Sequence, residues 1–248
     1  MRDHTKPDYV SIEFPDPPPD RPYVFTNMVM SADGKVVIEG TERGLGSPVD
    51  QRLMRELRVH ADVVLNGAGT LRKSGTSSLL ASDELVAVRR RRPRPPAPVA
   101  AVLSASGDLP LERPFFTSRE FPAVVYLAST APPDRAAAAR ATGRDVIEVP
   151  ADDPIPAMLH HMHHSLGARR LLVEGGPEIN GRLFDLGVVD EYFLTIGPRV
   201  VGGNVTLTPV RSNRPASFDA VTELDLLSAV PNPATGELYV RYRRRRAS

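Results

Sequence analysis

The sequence predicts an α/β fold, and three observations carry that reading. Leu171-Leu172-Val173 is an apolar run that stops at Glu174-Gly175-Gly176-Pro177 and continues with a helical pattern, as a buried strand does when it turns directly into a helix. A similar run from Asp62 to Asn66 is followed at once by Gly67-Ala68-Gly69-Thr70. Strand-like and helix-like segments alternate through the middle of the chain, the arrangement that a largely parallel sheet requires. Gly175 and Gly176 lack a Cβ, so the backbone can turn sharply there and a ligand can approach it. Pro177 suits the first helical turn, whose free N–H groups face an anion. Glu174 falls at the carboxyl end of its strand, where open α/β sheets place ligands. The two glycine corners fit a nucleotide diphosphate, and they equally fit tight corners with no ligand. Gly-x-Gly-x-x-Gly is not met, because Arg72 stands three residues after Gly69, so a Rossmann domain is not supported.

Composition narrows the function classes. The chain has 248 residues, enough for a large core, and its 31 basic against 30 acidic residues leave a formal charge of +1. That balance creates no global field for nucleic acid. The absence of cysteine excludes disulfides, thiolate metal sites, cysteine nucleophiles and the cysteine-bound zinc of nucleobase deaminases. No apolar run approaches the roughly 20 residues of a membrane span, and the N-terminus lacks a signal-peptide core. The expectation is a soluble, cytoplasmic protein.

Residues 1–20 end in Phe14-Pro15-Asp16-Pro17-Pro18-Pro19-Asp20 and read as a proline-rich arm that is extended rather than packed. Tyr23 to Met30 is a central strand. Ser31-Ala32-Asp33-Gly34-Lys35 is a turn, with Gly34 free to take positive φ and Asp33 able simply to cap it, before a short strand Val36 to Ile38. Ser47-Pro48-Val49-Asp50 opens a helix with Ser47 as N-cap; Leu53, Met54, Leu57 and His60 form its inner stripe. Lys73 to Ser82 reads as a surface loop and the run Arg89 to Arg92 as a solvated one. Strands are expected at Val99 to Leu103, Phe115 to Thr117, Val124 to Leu127 and Val146 to Val149, with a helix at Asp134 to Ala141. The helical segment Pro154 to Leu166 carries His160, His161, His163 and His164 at i, i+3 and i+4 steps. It has no His-Glu-x-x-His pattern and no third ligand nearby, so no metal site is assigned. A helix Glu178 to Leu186, a strand Glu191 to Ile196 and a hairpin of Val221 to Ser228 with Leu238 to Arg243 complete the pattern. Residues 244–248 read as a basic tail.

Six segments in unbroken order carry a resemblance: Asn27 to Lys35, Ser47-Pro48, Glu56-Leu57-Arg58, Gly67 to Thr70, Val173 to Pro177, and Val189 through Gly203. Together they resemble the reductase domain of riboflavin biosynthesis, the C-terminal domain of bacterial bifunctional deaminase-reductases, over about residues 21–243. The resemblance implies a dihydrofolate-reductase-like three-layer fold: a mixed, mostly parallel sheet between helices, with an antiparallel C-terminal strand. It also implies NADPH as cofactor, a small-molecule substrate and a homodimer, with neither nucleic acid nor membrane as partner.

Carried over residue by residue, the resemblance implies nicotinamide contacts at Val29 and Gly44. Cofactor phosphate contacts fall on Gly67, Gly69 and Thr70 and on Gly175, Gly176, Pro177, Glu178, Ile179 and Asn180. Ser104, with Ser106 and Arg72, is the expected place of the adenosine 2′-phosphate. Asn27, Asp33, Arg58 and Glu174 are the implied substrate contacts, with Asp33 and Glu174 as the catalytic polar groups. The implied reaction is hydride transfer to C1′ of a 5-amino-6-ribosylaminopyrimidine 5′-phosphate, giving the ribitylamino product. The family's Asp-Asp-Pro-x-Leu-Thr segment is absent: here Leu71-Arg72-Lys73-Ser74-Gly75-Thr76-Ser77-Ser78 follows Thr70. Reduction of dihydrofolate or another pterin is the alternative on the same fold. Binding of nucleotide or nucleic acid through the arginine runs is the non-enzymatic one.

Overall fold

The structure is a computed structural model and describes residues 6–74, 77–92, 94–204, 207–214 and 217–245. In chain order the strands are β1 (Tyr23–Ser31), β2 (Val63–Gly67), β3 (Val99–Ser104), β4 (Ala123–Ala128), β5 (Asp145–Val149), β6 (Arg170–Val173), β7 (Val189–Gly197), β8 (Leu224–Pro231) and β9 (Leu238–Arg244). The helices are α1 (Pro48–Arg58), α2 (Ala68–Ser74), α3 (Asp83–Arg90), α4 (Pro114–Thr117), α5 (Pro133–Ala141), α6 (Pro154–His164) and α7 (Pro177–Asp185). The strands form one sheet in the order β5-β4-β3-β2-β6-β1-β7-β9-β8. Pairing is parallel from β5 across to β7, and β9 runs antiparallel to both β7 and β8.

Side chains alternate between two cores, one on each face of the sheet. On one face, Val24, Leu65, Leu171 and Val173 meet Ile155, Met158 and Met162 of α6 and Ile179 and Leu183 of α7. On the other, Phe25, Val64, Leu172 and Phe193 meet Leu53 and Leu57 of α1, while Val102 and Val125 meet Leu71 of α2 and Ala136 of α5. The result is the expected three-layer architecture. No helix among the described residues is long and apolar enough to cross a membrane.

Several local expectations are corrected. The N-terminal arm packs: Tyr9, Ile12 and Phe14 are buried, with Phe14 4.6 Å from Phe25 and Tyr9 edge-on to Phe193 at 5.1 Å between ring centroids. An 11-residue α1 spans only about 16 Å, so it leaves part of this aromatic face for the arm to cover. Phe115 to Thr117 is a helical turn rather than a strand. Pro114 sits at its first position and both phenylalanines are buried, and a short apolar run does not distinguish the two structures. Val36 to Ile38 forms no strand; Ile38 makes an isolated bridge to Thr41. The turn expected at residues 67–70 is replaced by α2, which begins at Ala68 directly after β2.

Beyond α2, Ser82 caps the unanticipated α3 by accepting from Leu85 N. This helix brings Arg89 inward, against the expectation of a solvated run. Arg89 donates to the carbonyls of Arg58, Val59, Ala61 and Pro95, at 3.0, 3.1, 2.6 and 2.7 Å. It thereby satisfies backbone acceptors that the C-terminus of α1 leaves open. Burial lowers the Arg89 pKa to about 10, and Arg90, Arg91 and Arg92 remain exposed. At the other terminus, Arg244 is the last residue of β9 and Arg245 pairs with Asp225 and Glu223, so the basic tail starts later than expected.

Candidate active site

The carboxyl ends of β2, β6, β1 and β7 lie side by side and open onto four connections: the start of α2, the Gly175-Gly176 corner, residues 32–47, and residues 198–203. Glu174 N donates to Leu65 O at 3.0 Å and Gly67 N to Gly175 O at 3.1 Å, which carries β2–β6 pairing past Val173. Gly175 and Gly176 have φ of +127° and +100°, backbone that residues with a Cβ rarely adopt. A Cβ on Gly175 would lie 3.8 Å from Thr70 Oγ1 and 3.9 Å from Met28 Sδ, so the corner, Thr70 and Met28 share one space. Pro177 is the first residue of α7, and no side chain caps this helix. The N–H groups of Glu178 and Ile179 fall outside the helical ladder and carry the positive end of the dipole.

Asn180, expected as a phosphate contact, is buried near the start of α7. Its N–H is spent on Gly176 O, and its Nδ2 donates to Pro209 O at 2.9 Å. Gly67 is buried at the end of β2, whereas Gly69 lies exposed with open space around it.

A polar row occupies the α1 face of these strand ends. Glu174 accepts from Arg58 through both oxygens, Nε at 2.5 Å and Nη2 at 2.6 Å, while Arg58 Nη1 donates to Leu79 O at 2.5 Å. Both side chains are buried, 9 % and 4 % exposed, which makes this a desolvated, bidentate pair. Thr26 pairs with Val173, so Asn27 follows beside Glu174 on one side, and Asn66 follows Leu65 on the other. Asn66 was missed by sequence reasoning. Its signal was a carboxamide closing an otherwise apolar strand, two residues beyond the inward-facing Val64.

Asp33 sits at the rim rather than the floor. Its carboxylate accepts from Ser31 Oγ at 2.6 Å, Val201 N at 3.0 Å and Gly202 N at 2.9 Å, bonds that hold it well below the usual carboxylate range. The carboxylate ties the turn after β1 to the segment at residues 198–203. Gly44 has φ +86°, and a Cβ there would come 3.2 Å from Arg199 Nη1; Val29 lies in β1 opposite Thr195 of β7. Behind Val29, Asp50 of α1 is buried and hydrogen-bonded to Thr195. Burial, with Glu237 nearby, raises its pKa to about 6. Burial also works against ionisation of Glu237, but donation from Ser47 Oγ, Tyr239 OH, Ser47 N and Thr235 Oγ1 holds it below the ordinary value.

The three groups expected around the 2′-phosphate do converge. Ser104 Oγ accepts from Gly107 N, Ser106 Oγ from Asp108 N, and Arg72 Nη1 donates to Asp108 O at 2.7 Å. Arg135 reaches the same turn, donating to Ser106 O. On α6, His160 and His164 stack at 4.3 Å and His161 meets Tyr126 OH. Among the described residues no group of three or more His, Asp or Glu is set to hold a metal ion.

The family model of the RibD C-terminal domain matches residues 22–229. The chain belongs to this family. A 2,5-diamino-6-ribosylamino-4(3H)-pyrimidinone 5′-phosphate reductase from Methanothermobacter thermautotrophicus is 31 % identical over 193 residues, covering 77 % of this chain and 84 % of that one. A pyrimidine reductase-like protein from Corynebacterium diphtheriae matches in structure with a TM-score of 0.82 at 24 % identity, over 92 % of this chain and 94 % of that one. Dihydrofolate reductase from Enterococcus faecalis matches with a TM-score of 0.50 at 14 % identity, over 90 % and 97 % of the two chains. The RibD C-terminal domain described here therefore has the dihydrofolate-reductase-like fold that its sequence resemblance implied. In this domain the Gly175-Gly176 corner and the Arg58–Glu174 pair stand at the same edge of the sheet.

Proposed function

We propose that this RibD C-terminal domain is a riboflavin-biosynthesis reductase. On this reading it transfers hydride from NADPH to C1′ of a 5-amino-6-ribosylaminopyrimidine 5′-phosphate and acts as a homodimer. One observation carries the reading: a glycine corner and uncapped helix N-terminus suited to a diphosphate lie beside a buried polar row suited to a sugar. The residues present fit a dinucleotide. Thr70, Gly175, Gly176 and the N–H groups of Glu178 and Ile179 would hold its diphosphate, and Val29 and Gly44 would border its nicotinamide. The turn at residues 104–108, with Arg72 and Arg135 beside it, would take the 2′-phosphate.

The cofactor supplies the hydride, so the protein's work is positioning and electrostatics. Opening of the sugar breaks its C1′–O4′ bond as the amine proton passes to O4′ and leaves an imine at C1′; hydride addition at C1′ is then completed by a proton from water at the nitrogen. The Arg58–Glu174 pair orients the substrate's polar groups, and Asp33 holds the loops at the rim. Following NADPH and NADH oxidation with the aminated and deaminated pyrimidine phosphates and with dihydrofolate tests the proposal. Turnover of a pyrimidine phosphate with a preference for NADPH is the expected result, and turnover of dihydrofolate alone refutes it. Sedimentation at assay concentrations checks the dimer.

A further inference from the structure

We infer that Asn66 is a substrate-binding residue whose carboxamide reads an uncharged hydroxyl or lactam group of the ligand, an inference that rests on the proposed reductase function. Asn66 is 4 % exposed at the carboxyl end of β2, on the face that Val64 shares with Leu57 and Leu172. Strand pairing sets it beside Glu174, with Asn27 on that residue's other side. No hydrogen bond from the described residues reaches its side chain, although its neighbours Glu174 and Arg58 are paired with each other. The side chain is largely buried, yet its polar atoms find no partner among the described residues and keep slight access at the open end of the sheet, where water or a ligand can reach them. Such a group is explained if a ligand completes it.

The chemistry of the row selects the kind of group. Arg58 is neutralised by Glu174, so this floor carries no net charge, and a phosphate placed on it would meet the Glu174 carboxylate. A carboxamide presents one donor and one acceptor edge, which matches hydroxyls or the lactam edge of a pyrimidinone. A site built to bond such a group discriminates against analogues that lack it.

The test uses the full chain with Asn66→Leu and Asn66→Ser. Substituting leucine should raise KM for the pyrimidine phosphate roughly 10- to 100-fold, with kcat reduced less and the NADPH Kd within about twofold. The melting temperature of the ligand-free protein should stay level or rise, and serine should restore part of the affinity. Calorimetric titration with the pyrimidine phosphate and with ribose 5-phosphate separates the two sources. Weakening of both assigns the sugar hydroxyls, and weakening of the first alone assigns the heterocycle. Unchanged binding of both, or a leucine variant that melts several degrees lower, overturns the inference by making Asn66 a structural residue. If the wild-type protein binds neither compound, the inference falls together with the proposed function. Wild-type turnover with unchanged affinity in the leucine variant rejects the inference alone.

Discussion

Asp50→Asn should stabilise the protein at neutral pH, by an amount that disappears in acid. Asp50 is buried in the first turn of α1, and burial moves its pKa from 3.8 to about 6. At 1.36 kcal/mol per unit this corresponds to about 3 kcal/mol. Between pH 3.8 and 6 the native state keeps a proton that the unfolded state has released, so this residue's contribution falls as pH rises through that window. Above pH 6 the cost of a buried charge is complete, and below pH 3.8 it is absent. Asparagine mimics the neutral form and keeps a donor and acceptor for Thr195. The expected gain is about 2 to 3 kcal/mol at pH 7.5 and close to zero near pH 4.

His60 has the opposite slope. Burial holds it neutral with a pKa of about 4, so its contribution is complete above pH 6.5 and declines as pH falls toward 4. It is present in both proteins, so the difference between variant and wild type isolates Asp50. Urea unfolding at pH 4, 6 and 7.5 provides the measurement. A variant that is less stable at pH 7.5, or a difference that does not change with pH, refutes the reasoning.

Glu174→Gln leaves the Arg58 guanidinium buried without its carboxylate and should cost about 3 to 5 kcal/mol, read as a lower urea midpoint. Arg89→Leu removes the donor shared by four backbone carbonyls and should cost about 3 kcal/mol or more, with increased amide exchange at the end of α1. In Gly181→Ala the new Cβ would lie 1.9 Å from Arg211 O, so the segment at 209–212 must move off α7. A melting temperature several degrees lower is expected, and an unchanged one would show that this segment yields freely.

The sequence by itself determined the α/β class, the order of most elements and the strand-to-helix corner at Glu174-Gly175-Gly176-Pro177. Each of these rests on signals a few residues long: an apolar run of strand length, a glycine pair, or a serine three residues before an aspartate. Ser47 does cap α1, donating its hydroxyl to Glu237 while accepting from Val49 N and Asp50 N. Tertiary structure decided the rest, because burial and partnership depend on residues far apart in the chain. Arg89 and Tyr9 look like ordinary surface or arm residues until residues 31 and 47 positions away supply a carbonyl and a carboxylate. Asp33 could be read as a simple turn cap until Val201 N and Gly202 N, 168 and 169 positions away, proved to donate to its carboxylate. Asn66 is set beside Glu174 only by the pairing of β2 with β6, because which strands adjoin is a property of the whole sheet and not of any one strand.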